Sequence, residues 1–184
     1  MTRHFMKLII FLSLMLLIFT AFIMSNKQCD YPIPKDEQLV DYILAKTAKL
    51  IKEKYKLYPC GTGVAMPGGP IQKLALYFTT SYPHSKEQLR KLVIKSAHEL
   101  LNAVTENNEI QEFLKERPFT IKNIEIIIYN HDKDGRGLRD PEISTTEISQ
   151  GILTSRTIDP ENSFRFKNKF EESYEDALKA ISTP

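Results

Sequence analysis

The apolar positions of this chain follow three patterns: one unbroken run, stretches at three- and four-residue steps, and stretches that alternate. The unbroken run is LIIFLSLMLLIFTAFIM, residues 8–24, with no charge and only two hydroxyls, Ser13 and Thr20. Helical steps begin with Leu39, Val40, Ile43, Leu44, Thr47, Leu50 and Ile51, which predict a helix over 36–57. Acidic residues open it, lysines close it, and Pro59 and Gly61 lie beyond its end. A second stripe, Leu89, Leu92, Val93, Ser96, Ala97, Leu100 and Val104, follows Ser85 and Gln88, which are spaced as a capping box. A shorter helical piece holds Ile110, Phe113 and Leu114. In NKFEESYEDALKAIS the residues Phe170, Tyr174, Ala177, Leu178 and Ile181 predict a terminal helix.

Alternation marks the strands. In IQKLALYFTTSY, Leu74, Leu76 and Phe78 share one face. In FTIKNIEIIIYN, Ile124, Ile126 and Ile128 share a face while Ile127 and Tyr129 make the other partly apolar, as in a central strand. EISTTEISQGILTSRTI predicts one long or two short strands, with Gly151 as a bulge. PCGTGVAMPGGP, with four glycines and three prolines, predicts irregular chain over 59–70. The expectation is therefore an α+β domain: a small three- to four-stranded sheet packed with three main helices. The first strand, the long helix and the central strand would form a crossover that makes the two strands parallel.

The unbroken run sets the domain organisation. Arg3 and Lys7 precede it, the layout of a secretory signal. Its 17 residues exceed the roughly 7–15 of a cleaved signal core and approach the length of a membrane span. No A-x-A site follows. Residues 1–24 thus read as a signal peptide or, preferably, an uncleaved membrane anchor with its basic end in the cytoplasm. Residues 25–35 form a tether and 36–184 a single domain on the non-cytoplasmic side, or secreted or periplasmic if cleavage occurs.

This division changes the charge picture. Two of the 25 Lys and Arg residues, Arg3 and Lys7, belong to the leader, so 23 face the 23 Asp and Glu residues. A neutral domain has no net field with which to hold a phosphate backbone, and nucleic acid is not an expected partner. Export allows Cys29 and Cys60 to form a disulfide; the alternative is two free thiols.

Candidate chemistry concentrates in NHDKDGRGLRDP, residues 130–141. Asn130, Asp132, Asp134 and Gly135 match the opening of a calcium loop of the EF-hand type, but its twelfth position is Pro141 and Glu142 falls one residue late. A strand, not a helix, precedes it. A looser calcium site from Asn130, Asp132, Asp134 and Glu142 keeps the right oxygen chemistry; calcium is the one cofactor the residues suggest. The preferred reading is a polar turn built on Asp134–Gly135 and Gly137. His131 beside Asp132 and Asp134 has the residue types of a general base and its orienting acids, though all three come from one loop. Cys60 with His84 or His98 is a weaker nucleophile pairing, which a disulfide would abolish.

Each catalytic signature fails at a required position. The expectation is an exported, membrane-anchored envelope domain that binds a partner, with a protein as the candidate, without catalysis. Its membrane contact runs through residues 8–24. The contact surfaces would be 59–70, 130–142 and any exposed edge strand. The alternative is an exported hydrolase using the 130–142 loop, with or without a divalent ion.

Overall fold

The computed structural model describes residues 32–182 together with Met15. The leader, most of the tether and Cys29 lie outside the described residues. From Pro34 onward the chain forms one compact unit. Among the described residues no helix is long and apolar enough to cross a membrane.

The unit is α+β, but its sheet corrects the expected size: six strands, not three or four. In chain order the elements are α1 (Lys35–Tyr55), β1 (Tyr58–Ala65), β2 (Lys73–Thr79), α2 (Lys86–Thr105), β3 (Ile124–Tyr129), β4 (Thr145–Ser149), β5 (Ile152–Ile158), β6 (Phe166–Ser173) and α3 (Tyr174–Ser182). The strands lie in the sheet in the order of the chain. Each neighbouring pair is antiparallel except β2 and β3, which are parallel and joined through α2.

The two extra strands hid for different reasons. β1 occupies the Gly/Pro stretch where irregular chain was expected. Its glycines make room for a neighbour: a Cβ on Gly61 would stand 2.9 Å from Tyr77 Cδ2, and one on Gly63 3.0 Å from Tyr77 Oη. The Tyr77 ring therefore lies across β1, against bare backbone. β6 occupies the front half of the expected terminal helix. Phe170 is not inward on a helix but 42% exposed on an edge strand. The helix starts four residues later, where Ser173 Oγ accepts from Asp176 N–H at 3.1 Å.

Gly151 is likewise not a bulge. Gln150 (φ 52°) and Gly151 (φ 78°) form the two-residue link between β4 and β5, with the paired positive φ of a type I′ hairpin.

The three helices cover one sheet face. Leu74, Leu76, Phe78, Ile124, Ile126, Ile128, Ile148 and Leu153 point into a single core with Val40, Ile43, Leu44 and Ile51 of α1, Leu89, Val93, Ala97 and Leu100 of α2, and Tyr174 and Ala177 of α3. α2 begins at the expected capping box, Ser85 with Gln88. The opposite face carries no described helix. There Glu125 gathers Lys73 Nζ (2.5 Å), Tyr77 OH (3.0 Å) and Ser149 Oγ (3.0 Å), which ties three strands together. Arg156 similarly meets Glu147 at 2.7 Å across β4 and β5.

Candidate functional site

The parallel pair β2–β3 ends where the chemically richest loop begins. In open sheets a crevice outside the carboxyl ends of parallel strands is the usual place for a ligand. Here a crevice of about 470 Å³ is lined by Tyr58, Thr79, Thr80, Ser81, His131, Asp132, Lys133 and Gly135.

Asn130, between Tyr129 and His131, fastens the loop to its neighbours. It is fully buried. Its Nδ2 donates to Ile143 O (2.7 Å) and His84 O (3.0 Å), and its Oδ1 accepts from His84 N–H (3.0 Å) and Thr80 Oγ1 (3.3 Å). One amide thus fastens the β2 exit, the β3 exit and the approach to β4. Thr80 continues the joint by accepting from His131 N–H at 2.8 Å. The Nδ1 of His131 is held by Thr79 Oγ1. The imidazole is therefore oriented by a hydroxyl, not by a carboxylate.

Asp132 turns toward its own backbone. Its Oδ1 accepts from the amides of Asp134 and Arg136, each at 2.9 Å. The amide of Arg136 foremost, outweighing slight desolvation with help from that of Asp134, holds the Asp132 carboxyl below its ordinary range. Gly135, at φ +76°, closes this turn with its N–H on Asp132 O (3.0 Å). Asp134 is exposed. Glu142 lines a different hollow, of about 320 Å³, with His84, Ser85, Lys86, Pro141, Ile143 and Phe170.

The four residues singled out for calcium are thus distributed among three environments. Asn130 is committed to its bonds with Thr80, His84 and Ile143, Asp132 and Asp134 to the turn, and Glu142 belongs to another hollow. Among the described residues, no group of three or more His, Cys, Asp or Glu is arranged to hold a metal ion. Asp140 is also engaged, with Thr157 (2.9 Å), Lys167 (2.8 Å) and Asn168 (2.5 Å). Cys60 carries a free thiol on β1, largely exposed, whose pKa is pushed up by partial desolvation. His98 lies elsewhere, on α2, with its Nε2 against the Tyr174 hydroxyl.

Tyr58, Thr79, Thr80 and Ser81 are partners of the His131 loop that the sequence pattern does not mark. They stand about 50 or more residues away in the chain, and only the parallel register Thr79↔Tyr129 brings them together. The available signal was the polar stretch TTS ending the first recognised strand. Comparison with family models, with curated proteins and with solved structures finds no match to this chain.

Proposed function

We propose that this chain is a membrane-held, non-catalytic binding domain whose crevice at the carboxyl ends of β2 and β3 takes a polar group of a protein partner. In this reading residues 8–24 anchor the chain and the domain lies on the non-cytoplasmic side; cleavage of the leader would release it. One observation carries the non-catalytic reading: the groups suited to proton transfer are spent on structure. Asp132 serves its turn and His131 Nδ1 is held by Thr79, so no described carboxylate orients the imidazole. What faces the crevice is a set of hydrogen-bonding groups from Tyr58, Ser81, His131 and Lys133, in a loop that Asn130 fastens from behind.

A photo-crosslinker at Ser81 of the full chain, in its native membranes, tests this. The expected result is a discrete protein adduct that is lost with His131→Ala and Lys133→Ala. Failure to form an adduct, or the same adduct from a control position at Lys91, removes the reading.

A hydrolase is the second reading, favoured by the hydroxyl–imidazole contact of Thr79 with His131. Turnover of model esters that disappears in both Thr79→Val and His131→Ala would establish it in place of the first.

A further inference from the structure

β6 ends the sheet, and no described strand pairs with its outer edge. Such an edge is a template for a further strand unless its side chains oppose one. The sequence FKNKFEES places Lys167 and Lys169 before Phe170, and Glu171 and Glu172 after it. Lysines on an edge normally repel a second copy. Here, antiparallel pairing reverses the order and sets lysines against glutamates.

The backbone limits the possible registers. The amides of Tyr174 and Asn168 point toward β5, to Gly151 O (2.9 Å) and Thr157 Oγ1 (3.2 Å). Strand alternation therefore turns the N–H and C=O groups of Lys169, Glu171 and Ser173 outward. Two copies can bond only in registers that set these odd-numbered residues opposite one another. Centring the pair on residue 169 stacks Lys169 on Lys169, and centring it on 171 stacks Glu171 on Glu171; both place like charges directly opposite. Centring on Phe170 sets Lys169 against Glu171 twice, with the two Phe170 rings side by side on the helix-bearing face. Phe170 is 42% exposed and Phe166 54%. Lys169 and Glu171 already attract within one strand, at 2.7 Å, so the partner extends an existing alternation of charge.

We infer that β6 pairs antiparallel with β6 of a second copy, across a twofold axis at Phe170, joining two six-stranded sheets into one. The interface is isologous, so each contact occurs twice and the assembly closes at two copies.

Sedimentation of the full chain in detergent, from about 1 µM to about 1 mM, should show a reversible monomer–dimer equilibrium. Lys169→Glu should weaken the dimer about tenfold or more, because two attractive pairs become repulsive. Adding Glu171→Lys should restore it. In a Cys29→Ser, Cys60→Ser background, Phe170→Cys should form a disulfide dimer on mild oxidation. Its two Cα atoms would stand about 4.5 Å apart, within bonding range. Lys169→Cys should not. A monomer throughout, a dimer indifferent to Lys169→Glu, no rescue by the double exchange, or equal cross-linking at both positions would each overturn the inference.

Discussion

Tyr77 and the glycines beside it show how far one side chain can dictate its neighbours. Gly61 and Gly63 carry negative φ and any residue could adopt their backbone; what excludes a side chain is the ring lying over them. Gly61→Ala should cost about 1–3 kcal/mol through overpacking, read as a lower midpoint of urea unfolding with an unchanged slope. Tyr77→Ser in the same background should remove most of the difference between Gly and Ala at position 61. Additive effects of the two substitutions would show that the glycines serve something else. The same scale explains Asn130, whose residue type suggested a calcium ligand and whose position makes it a fastener. An amide has two donors and an acceptor of fixed geometry, and two distant chain segments converge to satisfy them.

At the scale of elements, local chemistry decides where β6 stops and α3 starts. The phenylalanines at 166 and 170 are four apart, a helical step, yet they sit on a strand. Ser173 then accepts from Asp176 N–H and donates to Asp176 Oδ2 at 2.7 Å, a cap that interrupts the strand and begins the helix. Ser173→Ala should cost about 1 kcal/mol and fray the first turn of α3, visible as faster amide exchange at Asp176 and Ala177. Unchanged exchange at those amides would mean that packing of Tyr174 and Ala177 alone sets the helix start. The β4–β5 hairpin follows the same logic: a two-residue link needs positive φ at both positions, which Gly151 meets freely and Gln150 with some strain.

At the scale of the molecule, acid should loosen the sheet from its open face. Burial pushes the Glu125 carboxyl up, but the hydrogen bonds from Lys73, Tyr77 and Ser149 together with the Lys73 charge outweigh it and leave it below its ordinary value. A carboxyl depressed on folding contributes stability above its unfolded pKa of about 4.3, and loses it as pH falls through the folded value. Tyr77 has the opposite sense. Burial first, then the bond and charge of Glu125, push its hydroxyl up to about 12, so its share is complete below the unfolded pKa and fades as pH rises through that value. The melting temperature should therefore fall on the acid side of about pH 4 and again in strong alkali. Glu125→Gln should flatten the acid limb. An acid limb unaltered in that variant would place the acid-sensitive group elsewhere, with Asp159 and its partner Arg165 next to be tested.

The order of the main helices and the central Ile-rich strand were legible in the chain because burial imposes a period of 2 or 3.6 on residues that meet one core; the parallel β2–β3 pair was legible because a helix joins the two strands as a crossover. The capping box at Ser85 was legible because its partners lie three residues apart. The polar turn at Asp134–Gly135 was legible for the same local reason. Local sequence also states the charge dyad around Phe170, although its meaning depends on β6 being an edge.

Tertiary structure alone decided the remainder. Whether a glycine-rich stretch becomes a strand depends on a tyrosine on the next strand, and whether Phe170 lies on a helix or an edge depends on β5 offering a partner. Asn130 became a fastener because segments 46 residues before it and 13 after it arrive at its amide. The crevice exists because a parallel register places Thr79 beside Tyr129. Sequence pattern records which residues avoid water; it does not record which distant groups will compete for the same hydrogen bond.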